Sequence, residues 1–264
     1  MNRHNRKTGL VGLLYRYSAL ELVRNRLGFL LIFMIPALFL AVVEGTTGEG
    51  ALPIKIYGLG STEQHVLSAR LISLVFMAAA VSGFLTSYYA LLLFHQDFKF
   101  YRYCISMRLS PRTLIVSRFG FFFTLVAVLA GFILLILGFM MPLHMVPAAF
   151  AGFVLLGIVY GAYGGIVGLL SKDFMVGIML IVLLANLDAG WLQNPVFYSS
   201  AQQAAFIRWL PAFFPCQFIF SALFAGKMNL WALIMSAAYA GAFIFILSVC
   251  LQQKIRGVYH GYRR

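Results

Sequence analysis

The chain has 264 residues, of which 62% are hydrophobic and 10% charged, and its mean hydropathy is +0.92. So few charged side chains cannot cover an interior that apolar, whereas a bilayer needs no such cover; a water-soluble globular domain is excluded and an integral membrane protein is indicated. The formal charge of +13, from 20 Lys and Arg against 7 Asp and Glu, points either to an anionic partner such as nucleic acid or to membrane topology, and its distribution decides which.

In chain order, residues 1–26 come first. Their apolar part is interrupted by Arg16, Glu21 and Arg24 and no small-residue cleavage site follows, so a removed signal peptide is not expected and the mature chain is expected to start near Met1. Leu10, Leu13, Leu14, Tyr17 and Leu20 recur at helical spacing, with Arg16 and Arg24 off that stripe and Glu21 three residues before Arg24. This predicts a basic amphipathic helix lying on the membrane interface and turning into the bilayer near Leu27. Apolar runs long enough to cross hydrocarbon follow at 27–43, 71–94, 119–141, 146–170 and 229–251, with a shorter one at 174–187. Pro36 is expected to kink the first. The short fifth run ends in Asn186, Asp188 and Gly190, before an apolar stretch over 196–226 broken by Pro195, Pro211 and Pro215. Such broken segments suit a chain that dips into the membrane against protein rather than lipid. The fold class read from this pattern is an all-α integral membrane protein with six transmembrane helices in 27–251, followed by a basic tail, 252–264.

Six crossings place both termini on one side. That side, taken as the N-terminus, 95–118, 171–173 and the C-terminus, holds 16 of the 20 Lys and Arg; the other holds Lys55, Arg70, Arg208 and Lys227. By the positive-inside rule the first side is cytoplasmic. Glu44, Glu49, Glu63 and Asp188 balance the four external cations, so the whole excess is cytoplasmic and no nucleic-acid partner is needed to account for it.

Catalytic and ion-coupling chemistry at membrane depth requires ionisable groups there. All seven carboxylates fall in loops or at span ends. The deepest is Asp188, readable as a polar group of an external gate or as a solvated turn residue. His65, His95, His144 and His260 lack a partner at metal-ligand spacing, Cys104, Cys216 and Cys250 suggest neither a zinc site nor a disulfide framework, and no phosphate-binding loop of the G-x-x-x-x-G-K-[ST] type is present. The chain is expected to hold no metal or cofactor and not to be catalytic by itself. Gly157, Gly161, Gly164, Gly165 and Gly168 predict close helix packing within the protomer, and Tyr160 and Tyr163 are expected in that packing.

The segment from His95 to Arg118 mixes aromatic residues with arginine, the composition of a protein-docking surface. A short helix ending before Ser110 is expected there, with Ser110 capping a new helix that has Pro111 at its first position. In order and topology the chain resembles the membrane subunit of a type-2 ATP-binding-cassette exporter. The resemblance rests on the amphipathic N-terminal helix, on the loop from Asp97 to Arg118 with its Leu109-Ser110-Pro111 break, and on the broken segment before the last span. That segment runs from Asp188-Ala189-Gly190 through Trp209-Leu210-Pro211 and Phe214-Pro215 to Ala225-Gly226. The loop departs from the Glu-rich, Gly-Thr-containing form of many members, reading Phe98-Lys99-Phe100-Tyr101 with only Asp97 acidic.

The resemblance implies a permease in a bacterial or archaeal plasma membrane, paired with a second copy or homologue and with separate ATPase subunits that bind the ATP and Mg. Coupling to the ATPase falls to Asp97, Phe98, Lys99, Tyr101, Arg102, Met107, Arg108 and Leu109, and to the interface helix through Leu13, Arg16, Tyr17, Leu20, Glu21 and Arg24. The substrate path for a hydrophobic or amphipathic cargo, a drug, lipid or lipid-linked molecule, lies between protomers. It is lined mainly by the first, second and fifth spans, with Phe29, Phe33, Met34, Phe76, Met77, Phe84, Met175 and Met179. The re-entrant segment 188–226 supplies an external gate with Asp188, Trp209, Phe214 and Pro215. Two other classes stay open: a gradient-driven carrier or membrane enzyme using Asp188, and a non-transporting assembly subunit.

Overall fold

The structure, a computed structural model, describes residues 3–58, 62–95, 110–200 and 204–262. The chain opens with α1 (Arg3–Arg24) and α2 (Arg26–Thr46). Asn25 separates them, its Oδ1 accepting the Gly28 N–H at 3.1 Å and satisfying one of the free donors at the start of α2. Leu14 and Ser18 of α1 are buried while Leu13, Tyr17 and Leu20 are exposed, so the apolar positions are divided between a packed side and an open one. Arg16, Glu21 and Arg24 share the open side.

Between the first two spans lies an element that departs from the all-α expectation. Strands β1 (Ala51–Tyr57) and β2 (Thr62–Ser68) pair antiparallel, Ala51 opposite Ser68 and Tyr57 opposite Thr62. Alternation explains it: Ile54 and Ile56 point inward and are buried, with Lys55 between them on the opposite face. Arg70 at the following helix start pairs with Glu44 at the end of α2 and, at 3.3 Å, with Glu49, which ties the two spans at the hairpin end.

Helix α3 (Ala69–Phe94) is capped by Ser68, and α4 (Pro111–Met140) starts as expected, with the Ser110 Oγ accepting from Thr113 N at 3.2 Å and Pro111 in the first turn. A turn with Met145 in the left-handed region (φ 42°) leads into α5 (Val146–Leu170). Helices α3 and α5 are the most buried spans and pack at close range. The Ser87 hydroxyl donates to Tyr160 O at 2.8 Å, and a Cβ on Gly164 would sit 2.1 Å from the Ser87 carbonyl oxygen. The glycines of the fourth span therefore serve intramolecular packing. Tyr163 joins it through a 3.3 Å hydrogen bond to Leu180 O, and Tyr160 acquires a second role described below.

Helix α6 (Phe174–Leu187) does not stop at the end of its apolar run: a π-helical turn, Asp188–Leu192, prolongs it, giving a continuous 19-residue apolar helix. The stretch that follows is built of α7 (Pro195–Ser200), α8 (Ala204–Ile207), α9 (Phe213–Phe220) and a second π-turn, Ser221–Ala225. Gly226 (φ 59°) in the left-handed region then turns the chain toward α10 (Leu230–Tyr262). Six helices are long and apolar enough to cross a bilayer, and the chain is a multi-pass membrane protein that is mostly helical.

Candidate functional site

A cleft of about 810 Å³ opens between α2, α3 and the α6 helix with its π-turn. Its inner wall is a helical stripe of α3, Met77, Ala80, Val81 and Phe84 at spacings of three and four, with Phe76 beside it. Ile35 and Phe39, one turn apart, form the α2 wall; Val182 and Asn186, also one turn apart, form the α6 wall. Gly190, Trp191, Asn194 and Phe197 close the hairpin end. Among the described residues no ionisable side chain lines the cleft, and its polar groups are the amides Asn186 and Asn194. An apolar body with a neutral hydrogen-bonding end is the chemistry this lining accommodates.

The π-turn that forms this end begins with Asp188, which is 8% exposed and is not among the cleft's described lining residues. Its Oδ2 accepts from the Tyr160 hydroxyl of α5 and from the backbone N–H of Ala212 (3.1 Å), while Oδ1 accepts from Gln193 Nε2 at 2.7 Å. Ala212 is the N-cap of α9, so the carboxylate also meets the positive end of that helix. One side chain thus joins α5, the π-turn and the start of α9. The reading of Asp188 as a solvated turn residue is overturned: the helix continues through it and buries it. Gln193 is fully buried, and its Oε1 has no partner among the described residues.

The hairpin is fastened to the same region. Gln217 Oε1 of α9 accepts from Tyr57 N at 2.9 Å, Asn229 Nδ2 donates to Tyr57 O at 2.8 Å, and the Arg208 guanidinium lies 4.4 Å from the Tyr57 ring centroid. Lys227 Nζ donates to Glu63 at 3.0 Å; that ammonium, with His65 beside it, holds the Glu63 carboxyl below its usual range. Among the described residues no cluster of three metal-ligating side chains occurs, and Cys216 and Cys250 are free thiols.

The structure brings together part of the residue set read from sequence. Phe76, Met77 and Phe84 line the cleft. Phe29, Phe33 and Met34 occupy other faces of α2, Phe33 meeting Phe132 of α4 edge-on at 4.9 Å. Met175 and Met179 share the helical stripe of Val182 and Asn186 but are exposed beyond the cleft's end. Of the gate residues, Trp209 is 75% exposed, with its carbonyl accepting from the Tyr239 hydroxyl at 2.9 Å. Phe214 meets Phe213 and Trp231 edge-on and Tyr239 at a tilt, and Pro215 is buried. Of these, Asp188 alone belongs to an element that forms the cleft's wall, the π-turn that also carries Gly190 and Trp191. The set Asp97, Phe98, Lys99, Tyr101, Arg102, Met107, Arg108 and Leu109 lies outside the described residues.

Sequence reading missed Arg118. It falls within α4, is 3% exposed, and its Nη1 donates at 3.3 Å to Ser18 Oγ of α1, whose own hydroxyl donates to Leu14 O. Tyr15 packs edge-on against Phe121 at 5.5 Å beside it. A charge in the first turns of an apolar run, eight residues after its cap, is the signal that marks it. No protein-family model matches the chain, and no curated protein matches it.

Proposed function

We propose that this protein is the permease of an ATP-binding-cassette exporter, which pairs with a second copy or a homologue and is driven by separate cytoplasmic ATPase subunits. It carries a hydrophobic or amphipathic cargo through the cleft between α2, α3 and α6, in a plasma membrane with both termini cytoplasmic. The observation that carries the reading is the cleft itself: apolar, uncharged among its described lining residues, and walled by the first, second and fifth spans.

The energetics support an external drive. A gradient-driven carrier needs an ionisable group facing its pathway, whereas Asp188 is not among the cleft's described lining residues and is engaged by donors from three elements. A route for force is available at the opposite end. The segment 96–109 leads directly into α4, and α4 is tied to α1 by Arg118 and the Tyr15–Phe121 contact. A push on the loop or on α1 therefore moves both elements together, and α1 continues through Asn25 into α2, one wall of the cleft. Export as the direction rests on the family resemblance.

Co-expression with a candidate ATP-binding-cassette ATPase tests this reading. The wild type is expected to co-purify with it, and a variant with Phe98, Tyr101 and Arg102 changed to Ala is expected to insert normally but lose it. Absence of any ATPase complex, or retention of the complex by the triple variant, overturns the proposal.

A further inference from the structure

We propose that the groove between the first turn of α4 and the final turns of α10 binds the phosphate of an anionic phospholipid headgroup. The groove, of about 510 Å³, is lined by Ser110, Arg112 and Ile115 from one helix and Gln252, Ile255 and Arg256 from the other. Two exposed arginines on different helices thus line one hollow, with no carboxylate among its described lining residues and with the buried Ile255 among them. Arginine's planar fork of donors matches phosphate oxygens, and two forks on facing helices suit a phosphodiester.

The surroundings decide for a lipid over a soluble anion. On α4, Arg112, Val116, Phe119 and Phe123 recur at i, i+4, i+7 and i+11; on α10, Phe245, Val249, Gln252 and Arg256 do the same. Each stripe therefore runs from a terminal arginine onto the apolar flank of a membrane-length helix, where Val116, Phe123, Phe245 and Val249 are exposed. A headgroup held at the arginines leaves its acyl chains against those side chains, which a free phosphate cannot use. The site lies at the end of the spans that carries the basic excess and is independent of the cleft and of the exporter reading.

Native mass spectrometry of the full-length protein in neutral detergent tests it, with phosphatidylglycerol and phosphatidylcholine of the same acyl chains as probes. Each basic group near a membrane surface contributes roughly fivefold in lipid affinity, so the two arginines together give phosphatidylglycerol a preference on the order of 25-fold. The R112Q/R256Q variant is expected to lose that preference, and K172Q/R26Q, which removes the same charge elsewhere at that end, to keep it. R112K/R256K, which retains the charge, is expected to keep part of it and guards against misfolding of the neutral variant. Equal loss in K172Q/R26Q, or unchanged preference in R112Q/R256Q, overturns the site. Displacement of the bound lipid by millimolar inorganic phosphate overturns the lipid as its occupant.

Discussion

Replacing Asp188 separates the packing account of this residue from an ion-coupling role. Its oxygens accept from the Tyr160 hydroxyl, Gln193 Nε2 and the Ala212 N–H, all buried, so Asp188→Ala leaves three donors unpaired. A buried donor stripped of its partner costs about 1–3 kcal/mol. Allowing the Tyr160 hydroxyl to rotate toward another acceptor, the two remaining donors sum to about 2–6 kcal/mol, enough at the upper end to unfold a marginally stable protein. Asp188→Asn behaves differently. Its carbonyl oxygen can keep Tyr160 and Ala212, and a flip of the Gln193 amide turns Oε1 toward the new NH2 group at the expense of the bond that Gln193 Nε2 made to Oδ1, so that one buried donor is left unpaired instead of three. The expected loss is about 1 kcal/mol. Thermal unfolding in detergent, followed by size-exclusion recovery, should rank wild type and Asp188→Asn close together and Asp188→Ala far below. Equal melting temperatures for the Ala and Asn variants refute the packing role of Asp188. A stable Asp188→Asn protein that has lost all transport points instead to a carboxylate that exchanges protons or ions.

Three further outcomes follow from the packing and charge pairs. Gly164→Ala drives a Cβ to 2.1 Å from a backbone oxygen and should cost about 3 kcal/mol or more, whereas Gly241→Ala, with open space around it, should be neutral or stabilise by up to about 1 kcal/mol; melting curves of the two distinguish them. Met145→Gly removes a side chain from a left-handed backbone position and should raise stability by about 1–2 kcal/mol, seen as a higher melting temperature. Because Lys227 lowers the Glu63 carboxyl, the pair contributes stability above the ordinary carboxylate value and loses it as pH falls through the lower folded one. The gap in melting temperature between wild type and Lys227→Met should thus be present at pH 7 and shrink away below roughly pH 4 in a pH series.

The spans were legible because hydrocarbon imposes a long apolar run that few other structures need, and the Ser110-Pro111 start because capping chemistry is local. The hairpin carries no such mark: a seven-residue strand is far shorter than the apolar run a span needs, and its signal is the alternation of Ile54, Lys55 and Ile56. On the cleft, residue type misled where register would have served. Phe29, Phe33 and Met34 have the side chains an apolar path calls for, while the wall of α2 is set by Ile35 and Phe39, one turn apart. Asp188 stood out in sequence, but its partners Tyr160 and Ala212 are 28 and 24 residues away and only the fold joins them. In sequence Arg118 is one more basic residue at a span's cytoplasmic end, because nothing local shows that α1 folds back to cover it.

If an ATPase drives cargo through the cleft, as proposed, then filling the cleft uncouples ATP turnover from cargo in the reconstituted complex. Ala80→Trp places a large ring among Met77, Val81 and Phe84 without adding charge. With the ATPase bound, a hydrophobic cargo should stimulate hydrolysis by the wild type and leave the Ala80→Trp complex at its basal rate. Equal stimulation of both complexes would show that cargo does not pass through this cleft and would contradict the proposed transport path.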